Sequence, residues 1–356
     1  MNYSSLINEF INNSDYFFKE DYSNLDEKHK AILTESNNKL LENRFYFLNL
    51  LRDWEKQDDG PVPFQLNKFY IKNNSLFKII FDGMSYIKWK FKGFNILNTF
   101  LDDIEVIKKI KGFDLLEKFP VHKTYGVKKV FFINEFLSCN YRWLRYIYLA
   151  SQIRNFKILN ESSTWLDIGS FYGGIQSIVS GINKNLVSVM LDFNHQLLRS
   201  YIFLKTAYPD ANHVFPNSAK NALKNIRHIK KQSFIYIPVN NIEILKDVDF
   251  DLVTSFFSLG ELPRKDFNNY IINFIKRKAT NFYTVNRFVS SPFFEKTYGN
   301  NNDINIFDYI LDGYKKEYFD IFPIHHYIIP SRELYGRIGP RPLSSSHFEL
   351  FQKKIS

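Results

Sequence analysis

The chain has 356 residues, 45% of them hydrophobic and 18% aromatic, so it is long enough for two domains or one enlarged α/β domain with a large core. A single cysteine, Cys139, excludes an internal disulfide and any multi-cysteine metal site, and it points to a reducing, cytoplasmic setting. The net charge of +10 comes from dispersed basic residues with short clusters at Lys88 to Lys92, Lys108 to Lys111 and Arg227 to Lys231, a pattern of surface solvation rather than a nucleic-acid footprint.

No basic start followed by an apolar run marks a secretory leader in Met1 to Glu20, and no apolar stretch is long enough to span a membrane. In chain order, residues 1 to about 52 read as helices. Leu6, Ile7, Phe10 and Ile11 repeat at helical spacing, and the segment Asp26 to Trp54 carries a broad apolar face. Asp58 to Pro63 combines Gly and Pro and ends that helix. Phe69 to Ile71 and Tyr86 to Phe91 read as short strands, and Asn98 to Ile110 as a helix. The residues of this first third reveal no chemistry. It is either an extra layer on a catalytic domain, or a substrate-gripping lid or dimer face that would make the protein a homo-oligomer. Phe132 to Phe156 is a helix rich in Tyr, Leu and Arg.

From Thr164 strands and helices alternate. Strands are expected at Thr164 to Asp167, Val187 to Leu191, Phe234 to Val239, Asp251 to Phe257 and Phe282 to Asn286, with further strands at Phe319 to Ile324 and His347 to Gln352. Helices are expected at Gly174 to Gly181, His195 to Ala207, Asn217 to Arg227 and Phe267 to Ile275. This alternation predicts a doubly wound, mostly parallel, seven-stranded Rossmann-like sheet covered on both faces. The expected division is a mainly helical region at 1–130 and the sheet domain at 131–356.

The most informative stretch is Thr164-Trp165-Leu166-Asp167-Ile168-Gly169-Ser170-Phe171-Tyr172-Gly173-Gly174, a strand, a glycine turn and a helix start. Gly169 permits positive φ, and Gly173 and Gly174 let a ligand approach bare backbone. Asp192 ends the next strand about 20 residues on, where doubly wound nucleotide folds grip ribose hydroxyls. A dinucleotide fingerprint would be G-x-G-x-x-G, but Ser170 breaks it and leaves D-x-G-x-x-x-G. The bland alternative is an ordinary strand–turn–helix with helix-packing glycines.

This turn, with Asp192 in register and Phe250 to Phe257 at the fourth-strand position, resembles motif I and its surroundings in class I S-adenosylmethionine-dependent methyltransferases. Residues 130 to 356, above all the glycine turn and Asp251 to Leu262, resemble the bacterial sugar O-methyltransferases. The resemblance implies S-adenosyl-L-methionine as cofactor, held by Asp167, Gly169, Phe171, Gly173, Asp192 and Asn240. It also implies a sugar, nucleotide-sugar or glycan-precursor hydroxyl as methyl acceptor.

The ligand of an open α/β sheet lies beyond the strand carboxyl ends, which selects residues without any alignment. Asn240 and Asn241 follow the third strand, where an amide can pair with an adenine edge or simply form a turn. Ser258-Leu259-Gly260-Glu261 follows the fourth strand. It fits a capping box, or else turns Glu261 toward the acceptor. His325 and His326 follow the sixth strand if that strand is parallel, and His347 starts the seventh at the same edge if that one is antiparallel. Asn286-Arg287 follows the fifth. An alcohol needs help losing its proton, so Glu261, His326 and His347 are the candidate catalytic residues, in that order. No metal-ligand spacing is visible.

Methylation of base amino groups is disfavoured because the turn reads Phe257-Ser258-Leu259-Gly260 instead of Asn/Asp-Pro-Pro-aromatic. Carbon-5 methylation is disfavoured because Cys139 precedes the sheet. RNA ribose methylation stays open. A non-catalytic scaffold is opposed by the intact Asp167, Gly169, Gly173 and Asp192.

Overall fold

The computed structural model describes residues 2–15, 17–19, 27–50, 66, 68–91, 96–121, 139–289, 304–325, 327–328, 341–342 and 347–355. The helices in chain order are α1 (Tyr3–Asn12), α2 (Glu27–Glu42), α3 (Lys68–Asn73), α4 (Leu76–Phe91), α5 (Ile96–Lys109), α6 (Phe113–Lys118), α7 (Tyr141–Asn155), α8 (Gly174–Ile182), α9 (Asn194–Ala207), α10 (Pro216–Lys224) and α11 (Arg264–Asn269). The strands are β1 (Thr164–Ile168), β2 (Val187–Asp192), β3 (Asn212–Val214), β4 (Ser233–Pro238), β5 (Phe250–Phe256), β6 (Ala279–Arg287), β7 (Tyr314–Ile321), β8 (Tyr327–Ile328), β9 (Arg341–Pro342) and β10 (His347–Lys354).

The chain divides into two compact units. The first comprises Met1–Asn49, Phe156–Phe322 and Ser346–Ser356; the second comprises Leu50–Asn155 and Pro323–Ser345. The expected boundary at residue 130 does not coincide with this division. α1 and α2 belong with the sheet, and α7 belongs to the second unit. The reason for the first is packing. Phe10 of α1 meets Tyr201 of α9 and Tyr236 of β4 with ring centroids 5.7 Å apart in each pair. The Tyr201 hydroxyl donates to Glu9 Oε2 at 2.5 Å. The apolar stripe Leu6, Ile7, Phe10 and Ile11, legible as a period of 3.6, is fully covered.

The first unit carries an eight-stranded sheet in the order β3-β4-β2-β1-β5-β6-β10-β7. This is one strand more than expected. The extra strand, β3, lies between the helices expected at His195 to Ala207 and Asn217 to Arg227, and three residues give too short a period-2 signal to detect. β1 to β6 are parallel, while β10 runs antiparallel to both β6 and β7. β7 is therefore parallel to the main sheet, and both orientations considered for the last two strands hold. The chain runs outward from β1 through β2 to the edge strand β3, fills the gap with β4, then returns to β5 on the other side of β1 and continues to β6. Right-handed crossovers in opposite directions put helices on opposite faces. Leu166, Val189, Ile235, Val253, Phe282 and Leu350 fill the core, all buried. The strand order reverses between β1 and β5, which opens a crevice at their carboxyl ends.

In the second unit, Phe69 to Ile71 and Tyr86 to Phe91 are helical, lying in α3 and α4, not in the short strands expected. The window Tyr86-Ile-Lys-Trp-Lys-Phe91 alternates like a strand, but the longer run from Leu76 keeps a 3.6 period and the longer pattern prevails. Asn140 Oδ1 caps α7 by accepting from Trp143 N at 2.8 Å. Arg154 forks onto both carboxylate oxygens of Asp114 at 2.6 and 3.0 Å. The expected helix start at Phe132 and the breaker at Asp58 to Pro63 lie outside the described residues.

Candidate functional site

The carboxyl ends of β1, β2 and β5 meet at the crevice. Gly169 follows β1 with φ 80°, and its N–H donates to Leu191 O at 2.9 Å, stitching the turn to β2. A Cβ on Gly169 would lie 2.4 Å from Ser258 Cβ, so no other residue fits. Gly173, at φ 83°, caps α8, and a Cβ there would meet Leu204 Cδ1 at 2.9 Å. The turn also holds Phe171 at φ 52°, and the β5 turn holds Phe257 at φ 61°. Left-handed backbone at a non-glycine costs roughly 1–3 kcal/mol and clusters at functional sites. Of the six such residues among those described, these two lie in turns that flank the switch point.

Asp167 faces inward. Its Oδ1 accepts from Thr254 Oγ1 at 2.5 Å and its Oδ2 from Gln176 Nε2 at 2.5 Å. Trp165 Nε1 donates to Thr254 Oγ1 at 2.7 Å and completes the chain. Burial pushes the Asp167 carboxyl up to about 7, against the lowering effect of its two donors. In this structure Asp167 ties β1 to α8 and β5.

Asp192 ends β2 and reaches over to the glycine turn that follows β1. Its Oδ2 accepts from Phe171 N and its Oδ1 from Phe193 N, both at 2.7 Å. Burial raises its carboxyl to about 7, opposed by these N–H bonds. Each oxygen retains a lone-pair direction for a second donor. Beneath the turn, the Arg199 guanidinium stacks 4.6 Å from the Phe171 ring centroid and 5.1 Å from that of Tyr172. Two buried atoms beside the turn, Ser170 Oγ and Gln176 Oε1, have no hydrogen-bond partner among the described residues. Buried polar atoms are rarely left so, and a bound ligand with donors and acceptors is one way to satisfy them. The residues present thus fit a cofactor with a diol and polar substituents.

The capping box expected at Ser258 and Glu261 does not form. Ser258 Oγ instead donates to Ile168 O at 2.8 Å. Its single proton is thereby committed, so Ser255 Oγ, 2.8 Å away, donates to it. The serine thus clamps the β5 turn onto the end of β1. Glu261 is left half-exposed, with Oε1 3.8 Å from Arg287 Nη1 at the tip of β6. Asn286 Oδ1 accepts from Gly260 N at 3.4 Å, while its Nδ2 donates to Thr284 Oγ1 at 2.7 Å. The buried Tyr309 hydroxyl has no hydrogen-bond partner among the described residues and sits 3.1 Å from where a Gly260 Cβ would be.

Asn240 is exposed in the turn after β4, at the same edge. His347, buried at the start of β10, is paired with Arg287 and stands edge-on to Phe257 at 5.1 Å. Gly169, Phe171, Gly173, Asp192, Asn240, Glu261 and His347 thus gather at one sheet edge. His326 lies outside the described residues. His325 belongs to the second unit, where its Nδ1 lies 2.6 Å from Asp103 Oδ1. Burial raises the Asp103 carboxyl, and the bonds from His325 oppose that rise. Among the described residues no group of three or more His, Cys, Asp or Glu is placed to hold a metal ion. A groove of about 610 Å³ at the opposite, amino end of the strands is lined by Asn160, Asp251 and Asn281 and is remote from these residues.

Sequence reasoning missed the clamp by Ser258, the stack of Arg199, the bracing amide of Gln176 and the hydroxyl of Tyr309. Only Ser258 and Gln176 lie near a recognised turn in sequence. Arg199 and Tyr309 reach the site through tertiary packing and leave no spacing to read.

No family model matches the chain, and no curated protein sequence does. Among solved structures, it is similar to the magnesium protoporphyrin IX methyltransferase from Synechocystis, with 8% identity over 60% of this chain and 80% of that one and a TM-score of 0.34. It is also similar to mitomycin 7-O-methyltransferase, with 12% identity over 60% of this chain and 57% of that one and a TM-score of 0.30. A third similarity is to the small RNA methyltransferase HEN1, with 11% identity over 63% of this chain and 26% of that one and a TM-score of 0.36. Likenesses this distant carry no argument about function.

Proposed function

We propose that the sheet unit binds S-adenosyl-L-methionine beyond β1 and β2 and is an O-methyltransferase acting on a hydroxyl of a sugar or glycan precursor. The observation that carries this reading is the Asp192 carboxylate, whose Oδ2 accepts from Phe171 N in the Gly169–Gly173 turn while its Oδ1 accepts from Phe193 N. It is aimed by fixed geometry and keeps acceptor capacity for a ribose diol. Ser170 Oγ and Gln176 Oε1 offer the unsatisfied polar atoms such a ligand would use. Asn240 follows β4, on the far side of β2, in reach of a base edge.

The bound cofactor supplies a methyl group already activated on a sulfonium. The protein's work is then alignment and proton removal. Glu261, beyond β5 at the switch point, is the candidate base, and Arg287 beside it orients the carboxylate and hydrogen-bonds the acceptor. His347, on the same edge, is the alternative base. The sugar acceptor is supported by the resemblance of Asp251 to Leu262 to bacterial sugar O-methyltransferases. The test is transfer of isotopically labelled methyl to a panel of free sugars, nucleotide sugars and RNA. Label appearing as a sugar methyl ether supports the reading, whereas label confined to RNA replaces it with ribose methylation.

A further inference from the structure

We infer that α4 is a lipid-docking element that lies flat on an anionic membrane surface. On one side of α4 Asp82 is buried, paired with the half-exposed Lys78 at 2.5 Å, and Ile79 and Tyr86 are partly buried, so this side of the helix faces the protein. On the other side Leu76, Phe77, Phe81 and Phe91 are 71%, 88%, 72% and 88% exposed. Ile80, Met84 and Ile87 fill the same face and are more than half exposed. At 3.6 residues per turn these seven positions fall within an arc of roughly 140°, centred opposite Asp82. No described residue covers this face. Scattered exposed apolar residues are ordinary, but a contiguous aromatic stripe along a whole helix marks an interaction surface.

The charges select the occupant. From Lys68 to Lys92 the sequence holds six lysines and one acidic residue, and this stretch includes the Lys88 to Lys92 cluster. Lys88 falls inside the apolar arc and Lys90 just beyond its other rim, and both are exposed. If two copies of α4 packed face to face, Lys88 would be carried into the interface, where the described helix offers it no counter-ion. On a lipid surface the same lysines extend upward to phosphate and carboxylate headgroups while the phenylalanines enter the acyl boundary. The helix is short for a span and charged, and no described helix is long and apolar enough to cross a membrane, so α4 lies in the interface plane. Lipid binding by α4 is independent of what the sheet unit catalyses.

The test is co-flotation of the full-length protein with vesicles of phosphatidylcholine alone or with added phosphatidylserine. Wild-type protein is expected to float with the phosphatidylserine vesicles and to be released by high salt. Phe77→Ser combined with Phe81→Ser should weaken binding by roughly tenfold or more, by withdrawing two apolar anchors. Both positions are exposed, so circular dichroism and melting temperature should not change. Lys88→Glu with Lys90→Glu should abolish the preference for phosphatidylserine. Failure of the wild-type protein to float with the anionic vesicles overturns the proposal. So does light scattering that shows a vesicle-free dimer made monomeric by the phenylalanine substitutions, which would make the face a self-association surface.

Discussion

Glu261 is the residue at which structure and chemistry separate two readings. A capping box needs the Ser258 hydroxyl to accept a backbone N–H of the following turn, but that hydroxyl makes no cap bond and instead donates to Ile168 O. Glu261 is half-exposed, and its pair with Arg287 at 3.8 Å contributes at most about 1 kcal/mol. Glu261→Gln is therefore expected to leave the unfolding midpoint nearly unchanged. It should lower turnover by roughly 10²- to 10⁴-fold with cofactor affinity retained, as loss of a general base does. Steady-state kinetics and a melting curve on the same preparation check this, and near wild-type turnover would move the role of base to His347. The capping-box motif was legible in sequence, but its absence was not. What pulls Ser258 away is a carbonyl at the end of β1, close in space and remote along the chain.

At the scale of elements, the glycine turn and the β5 turn form one unit. Gly169 is fixed twice, by its left-handed φ and by Ser258, whose Cβ would lie 2.4 Å from a methyl group at Gly169. Gly169→Ala is expected to cost about 1–2 kcal/mol from backbone strain alone, and more from displacing the β5 turn. Denaturant unfolding should show that loss, and cofactor affinity should fall with it. An alanine variant of wild-type stability and affinity would mean the two turns are not coupled. The elements of the sheet unit were largely legible because buried parallel strands are continuous apolar runs bounded by turns. β3 is too short to announce itself. α3 and α4 carry short strand-like windows, an apolar triplet at Phe69 to Ile71 and an aromatic–lysine alternation at Tyr86 to Phe91, both shorter than a helix needs to show its period. The sheet edge on which Asp192, Glu261 and His347 converge followed from strand order and direction; the inward bonds of Asp167 and the stack of Arg199 did not.

At the scale of the molecule, two buried carboxylates, Asp167 and Asp192, are both raised to about 7 by burial. Unfolded aspartates titrate near 3.9. A folded value above the unfolded one means that the native state binds protons more readily between about pH 4 and 7. The stability these groups contribute is fully present below the unfolded value and is lost as pH rises through the folded one. The ligand-free protein is therefore expected to lose stability as pH rises from about 4 to 7, and Asp192→Asn should flatten that slope. Melting curves across this range test it, and a slope unchanged in the variant would contradict it. Cofactor binding should run the opposite way, weakening below about pH 7, because a protonated Asp192 is a poorer acceptor for ribose hydroxyls.

The central claim is that the Gly169–Gly173 turn and Asp192 hold S-adenosylmethionine, and calorimetric titration of the purified protein with S-adenosylhomocysteine tests it most directly. The predicted result is saturable binding at one site per chain, weakened in Asp192→Ala by roughly 1.5–3 kcal/mol through loss of hydrogen bonds to a charged acceptor, with no heat from NAD. Tight binding of NAD with no response to S-adenosylhomocysteine would contradict it.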